Sequence, residues 1–263
     1  MPLMPNALRR KISAGGTAAG AALASFSPEV MDIAGLAGLD FVRIDHEHAF
    51  RRDAGTEVLV RAALARGVAA VVRVDRAELA LVPKLLEIGA AGVIVAGVRG
   101  VAEAREAVRA ARFPPLGDRG FAATNLSNEW GTADAGEWIA WSNREPLLGV
   151  TIENPEAVAD AEAIVAEPGL DFVQFGWADF SIASGLGRPV KFHPDVAVAR
   201  RHVFGATRGA GKHIMMGVES SAAAVAEARA LGVSMLEFGR DLAALLAAWK
   251  GVAALAAGAA QEG

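Results

Sequence analysis

FVRIDHEHAF, residues 41–50, decides the reading of this chain. It begins as a short apolar strand and breaks off into Asp45, His46, Glu47 and His48, which include two of the five histidines in the protein. Downstream, EVLVRAALARG (57–67) has helical composition and closes on Gly67. AAVVRV (69–74) is then apolar again. Strand, helix and strand in that order form the βαβ unit of a parallel sheet.

The unit recurs along the chain. Further apolar runs lie at 19–23, 92–96, 147–153, 171–176, 213–218 and 234–239, which brings the expected strands to eight. Most are continuous rather than alternating, as befits parallel strands buried on both faces. Gly67, Gly89 and Gly232 each stand just before a strand, where a left-handed residue ends the preceding helix. Eight βα alternations predict an α/β fold, a (β/α)8 TIM barrel, with residues 1–263 as one domain. A doubly wound open sheet is the rival, but no GxGxxG follows the first strand. The connections 97–146 and 177–212 exceed one helix each and are expected to overhang the C-terminal face of the barrel. The tail, 241–260, reads as an Ala-rich helix starting at Asp241, with Leu242, Leu245, Trp249 and Val252 as an apolar stripe.

Composition narrows the function. At 53% hydrophobic residues over 263 positions the chain can bury a large core, and its net charge of −4 carries no basic run for nucleic acid. Without cysteine there is no disulfide, thiolate nucleophile or thiolate metal site. The N-terminus lacks a secretory apolar region, and no run of about 18 apolar residues spans a membrane, so a cytoplasmic protein is expected.

In a barrel, polar residues at the C-terminal ends of strands are the candidates for chemistry. Asp45, His48, Arg73, Glu153 and Asp179 all fall there, from four different strands. Glu153 and Asp179 suit a hard cation such as Mg²⁺ or Mn²⁺, or are solvated loop acids, with Asp179 capping a helix from Phe180. Arg73, inside an apolar strand, either holds a substrate carboxylate or oxyanion or pairs with Asp45 or Asp75. His48 can act as a general base with its ring oriented by Asp45, or simply satisfy hydrogen bonds at a strand end. His46 and His48 could also share a metal. His202 and His213 read as structural, and KFHPD (191–195) reads as a loop before a helix. No GxSxG, Walker loop, CxxC or HExxH occurs. Lys84 and Lys191 end no expected strand, which argues against a Schiff base.

The ordered elements DHEH (45–48), VVRV (71–74), KLLEIGAAGVIV (84–95), FPPLGDRG (113–120), IEN (152–154) and FGWADFS (175–181) resemble the HpcH/HpaI aldolase family of class II, metal-dependent pyruvate aldolases. The resemblance runs from about residue 7 to about residue 250. It implies a (β/α)8 barrel, assembled as homotrimers or hexamers with the last helix exchanged between subunits. It implies a divalent cation, Mg²⁺ or Mn²⁺ with Co²⁺ and Zn²⁺ as alternatives, on Glu153 and Asp179. Arg73 and the backbone of Gly176, Trp177 and Ala178 would bind the 2-oxo acid, and His48, Asp45 and Glu87 would manage protons. The implied reaction is reversible aldol cleavage of a 4-hydroxy-2-oxo acid to pyruvate, or a close analogue, and an aldehyde, in aromatic or sugar acid catabolism. Rivals are decarboxylation of an oxaloacetate-like acid at the same site and a non-catalytic barrel that binds small acids. The chain departs from the family pattern at Ala22, His46, Ala96, Thr151, Gln174 and Trp177.

Overall fold

The computed structural model describes residues 3–48 and 55–259. Eight parallel strands close into a barrel in chain order: β1 (Ala18–Leu23), β2 (Phe41–Asp45), β3 (Ala69–Asp75), β4 (Gly92–Val98), β5 (Leu147–Ile152), β6 (Phe172–Phe175), β7 (His213–Gly217) and β8 (Met235–Arg240). This is the (β/α)8 fold the sequence predicts, and every strand lies within two residues of its expected bounds. Beneath the barrel lies α1 (Ala7–Ser13). Around it run α2 (Pro28–Leu36), α3 (Gly55–Ala65), α4 (Leu81–Glu87), α5 (Val101–Ala111), α6 (Ala135–Arg144), α7 (Pro155–Ala159), α8 (Ala161–Val165), α9 (Trp177–Ala183), α10 (Pro194–Gly209) and α11 (Ala222–Ala230). The chain continues into α12 (Asp241–Ala259).

The continuous apolar runs serve two layers at once. Val42, Ile44, Val72, Val74, Val150 and Ile152 face outward into the core shared with the helices. Their neighbours Phe41, Val71, Ile94, Leu147, Phe172 and Met215 face inward and fill the lower barrel, and Leu8 and Ile12 of α1 close it from below. Two of these rings need glycine opposite them: a Cβ at Gly20 would lie 2.6 Å from Phe41, and one at Gly149 would lie 2.3 Å from Phe172. Asn6 pins α1 to the floor, donating to the carbonyls of Ala91 (2.7 Å) and Glu145 (3.0 Å). Gly67, Gly89 and Gly232 adopt positive φ (68°, 91° and 81°), as expected of helix-ending glycines.

One expectation fails. The surplus of the connection 97–146 lies at the N-terminal face, not over the C-terminal one. Leu126, Ser127 and Trp141 line an apolar cavity of about 340 Å³ together with the strand-start residues Ala69 and Ala91 and with Met4 to Ala7. Trp141 donates its indole N–H to the Met4 carbonyl at 2.9 Å. By the end of α5 the chain has already descended to this face. The surplus stays there because Phe113 and Trp138 pack edge-on, with ring centroids 5.2 Å apart. The connection 177–212 does begin on the C-terminal face, since α9 starts two residues after β6 ends.

Asp241 opens α12 as expected and accepts hydrogen bonds from the amides of Ala24 (2.9 Å) and Ser25 (3.0 Å), which ties the helix to the end of β1. The stripe of Leu242, Leu245, Trp249 and Val252 is 43–65% exposed in one chain. Among the described residues, no helix is long and apolar enough to cross a membrane.

Candidate active site

The alternation of β2 and β3 sends Asp45 and Arg73 into the barrel mouth, and their register places them side by side. Arg73 donates Nε to Asp45 Oδ1 (3.1 Å) and Nη2 to Oδ2 (2.5 Å). Its third nitrogen, Nη1, lies 2.9 Å from Glu47 Oε2. The structural partner foreseen for Arg73 is therefore Asp45. Asp75 instead accepts the Ala77 amide at 2.7 Å and caps a short 3-10 turn. Asp45 is ringed by guanidiniums: Arg43 Nη1 lies 3.6 Å from Oδ2 and Arg240 Nη2 3.8 Å. Burial alone would raise the Asp45 pKa, but Arg73 and then Arg43 outweigh it and hold the carboxyl well below the usual carboxylate range.

Asp45 does not orient the His48 ring. It accepts the backbone amides of Glu47 (3.2 Å) and His48 (3.3 Å), which folds the chain over the strand end. Among the described residues, the acid paired with the half-exposed imidazole is Glu47, with Oε2 3.6 Å from Nε2. His46 does not share a metal face with His48. It is buried, its Nε2 lies 2.8 Å from Thr56 Oγ1, and its ring packs on Phe26 at 5.7 Å.

Glu153 follows the last residue of β5 and is buried. β4 bulges between Val95 and Val98, and Gly97 there takes a positive φ of 69°, bringing its amide to the Glu153 carboxylate. On the other side, a Cβ at Gly176 would lie 2.2 Å from Glu153 Oε2, so the cradle admits only glycine. Burial first, and then the charges of Glu47 and Asp179, push the Glu153 pKa up to about 8. Glu47 is likewise raised, by burial first and then by Asp45 and Asp179, against the opposing pull of Arg73 and His48. Carboxylates crowded in a buried mouth call for added positive charge.

Asp179 sits in the first turn of α9, which starts at Trp177, so it does not cap a helix from Phe180. The side-chain-less cap of that turn is Gly176, and the amides of Trp177, Ala178 and Asp179 have no intrahelical acceptor. The Trp177 ring belongs to the outer layer, where it lines a cavity of about 130 Å³ with Phe175, Phe204 and Met216. Thr151, which lies beside Gln174 in the β5–β6 pair, carries a buried hydroxyl with no hydrogen-bond partner among the described residues.

Within one chain, Glu87 is not brought to the mouth. It ends α4 at the N-terminal face and lies 3.7 Å from Arg119, whose guanidinium stacks over Phe113. The residue the sequence reading passed over is Glu47. Its signal was present in the D-x-E-H order, since an acid two residues past an inward strand end can turn back into the mouth.

Hard carboxylate oxygens, a glycine cradle and a raised Glu153 fit a divalent cation. Among the described residues, no three His, Cys, Asp or Glu side chains are gathered tightly enough to hold an ion by themselves. A cation here would rest on two carboxylates and complete its shell with water and substrate oxygens.

A parallel barrel whose mouth sets acids against a fixed guanidinium is the frame of a carbon–carbon lyase of the class II aldolase type. Residues 20–248 match the HpcH/HpaI aldolase/citrate lyase family. The chain belongs to that family. It is 32% identical over 246 residues to a 5-keto-4-deoxy-D-glucarate aldolase of Shigella boydii, covering 92% of this chain and 93% of the relative. An HpcH/HpaI aldolase structure from Desulfitobacterium hafniense superposes with a TM-score of 0.85 at 34% identity, covering 94% of this chain and 96% of that one. The structure of the citrate synthase SbnG superposes with a TM-score of 0.85 at 26% identity, covering 98% of this chain and 99% of that one. The chain is thus an enzyme of the class II aldolase type.

Proposed function

We propose that the chain cleaves a 4-hydroxy-2-oxo acid reversibly to pyruvate, or a close analogue, and an aldehyde. The observation that carries this reading is the burial of Glu153 beside Glu47 and Asp179, with Arg73 close by, which leaves Glu153 pushed up to about 8. Crowded carboxylates with one fixed cation suit a site that gathers a divalent metal and an anionic substrate together. Glu153 and Asp179 would hold Mg²⁺ or Mn²⁺, and the bound cation supplies positive charge where an enolate forms.

The chain's own residues account for the rest. Arg73 lies beside the acids and orients the 2-oxo acid by its carboxylate. The unsatisfied amides of Trp177, Ala178 and Asp179 add donors to the same group. His48 takes the proton from the 4-hydroxyl, and Glu47 stabilises the imidazolium that results. As that O–H bond breaks, the electrons form the aldehyde carbonyl, the C3–C4 bond breaks, and its pair passes into the enolate. Protonation at C3 then yields the keto acid.

The exposed stripe of α12 supports covering of that helix by another copy of the chain. Light scattering on Trp249→Glu, expected to shrink the assembly, tests that point. The reaction is tested by coupling pyruvate release to NADH oxidation across a panel of 4-hydroxy-2-oxo acids, with oxaloacetate included, in Mg²⁺, Mn²⁺, Co²⁺ or EDTA. Cation-dependent release that EDTA abolishes is expected. Silence across the panel would overturn the aldol assignment.

A further inference from the structure

Below the mouth, the barrel interior carries a second ion pair that the aldol reading leaves unused. Arg43 of β2 donates Nε to Glu237 Oε2 (2.5 Å) and Nη2 to Oε1 (3.0 Å), and both side chains are buried. They come from strands that are not neighbours, because β1 lies between them. The register sets Ala22 beside Arg43 and Gly20 beside Glu237. The Phe41 ring fills the space over Gly20, Ala22 offers only a methyl above it, and the two long side chains meet across β1 at that level.

The remaining nitrogen of Arg43, Nη1, is buried and lies 3.6 Å from Asp45 Oδ2, too far for a hydrogen bond. That same oxygen accepts Nη2 of Arg73 at 2.5 Å. Three guanidiniums thus surround one carboxylate oxygen: Arg73 is bonded to it, while Arg43 and the half-exposed Arg240 (3.8 Å) are not. In a buried setting, charges at such separations act strongly on one another. Glu237 grips two of the three Arg43 nitrogens. Burial works against the Arg43 charge, but Glu237 and then Asp45 more than offset it, so the guanidinium stays protonated.

We propose that Glu237 is a positioning residue: its two-pronged pair holds Arg43 off Asp45, so that Asp45 is left to fix Arg73 at the mouth. The consequence for substrate rests on the aldolase reading of Arg73. The bond pattern itself does not.

The test uses three variants. Glu237→Gln leaves Arg43 charged, with Asp45 as the one acid still paired with it among the described residues. Glu237→Asp keeps the charge but shortens its reach. The double variant Arg43→Met with Glu237→Met removes both charges at similar volume. Mn²⁺ affinity and the affinity of the Mn²⁺-loaded protein for oxalate, a planar mimic of the enolate, are measured by calorimetry. Glu237→Gln is expected to weaken oxalate about tenfold with Mn²⁺ affinity unchanged, while the double variant returns to within about twofold of the parent. Should Glu237→Gln not fold, Glu237→Asp is expected to show a smaller loss of the same kind. Oxalate affinity unchanged in a variant whose melting temperature has fallen would overturn the proposal, for it would leave the pair a purely structural role.

Labelling of Arg73 by phenylglyoxal, read by mass spectrometry, separates this proposal from the aldolase reading. A parent protein that binds Mn²⁺ but no oxalate would sink that reading. Faster Arg73 labelling in Glu237→Gln would still uphold the positioning role, and an unchanged rate would overturn it.

Discussion

Gly176 and Glu153 fit each other so closely that a single methyl separates the native site from a displaced one: a Cβ on the glycine would lie 2.2 Å from Glu153 Oε2. The backbone at that position is not left-handed, with φ of −85°, so alanine meets no backbone strain there. The conflict falls on the Glu153 side chain from its root outward, since the added carbon would also lie 2.6 Å from Glu153 Cβ. Gly176→Ala is therefore expected to swing Glu153 out of its cradle and lower divalent-cation affinity by about 10- to 100-fold, the range seen when the partners of a metal ligand are changed. Calorimetric titration with Mn²⁺ checks this. Unchanged affinity would mean that the carboxylate can bind from another rotamer.

Glu153→Gln makes the complementary prediction. Burial and the charges of Glu47 and Asp179 hold Glu153 far above the usual carboxylate range in the cation-free protein. An acid pushed up to about 8 is largely protonated at neutral pH, and a neutral amide matches that form. The variant is expected to melt no lower than the parent in EDTA. The parent should gain about 2.7 kcal/mol of stability at a hundredfold excess of cation over Kd, and the variant almost none. Scanning fluorimetry with and without Mg²⁺ reads both effects. A variant that still responds to cation would remove Glu153 from the ligand set.

The barrel was legible because its strands carry apolar residues on both faces and its helices end on glycines at 67, 89 and 232, signals that are local in sequence. The tips of those strands were legible for the same reason. What was not legible is how side chains meet across strands. Arg43 and Glu237 are 194 positions apart and meet across β1, where Ala22 beside Arg43 offers only a methyl. The role of Asp45 was misread in part, since its acceptors face backbone amides and Arg73 rather than the imidazole three residues on. The surplus of the connection 97–146 was placed on the wrong face because chain length says nothing about where an aromatic pair such as Phe113 and Trp138 will pack.

Asp45→Asn probes the pair at the mouth. The Asp45 and Arg73 side chains are both nearly buried, at 6% and 9% exposure. An asparagine keeps the shape but leaves Arg73 and Arg43 facing a neutral group. Removing one partner of a buried ion pair costs about 3–5 kcal/mol when the other charge is left uncompensated. Glu47 still neutralises part of Arg73, so the expected loss is at the lower end, about 3 kcal/mol. Urea unfolding of the two proteins measures it. A loss under about 1 kcal/mol would show that Glu47 alone can hold Arg73.

His213 gives a pH dependence with a definite sign. It opens β7, with Asp171, Arg9 and Lys212 around it and Ser234 Oγ 3.4 Å from Nδ1. Burial, chiefly, lowers its pKa. Arg9 and Lys212 add to the lowering, and Asp171 opposes it. The folded state thus resists the proton that the unfolded chain accepts at about pH 6.5. Stability from this group is complete above that pH and declines as pH falls through it, continuing until the folded histidine itself protonates. His213→Gln cannot titrate, so between about pH 7 and pH 5 its urea midpoint should fall less than that of the parent. Carboxylates that titrate below this window contribute to both proteins and cancel in the difference. Parallel curves across the window would show that His213 takes up its proton equally in both states, and that burial at the foot of β7 is balanced by Asp171.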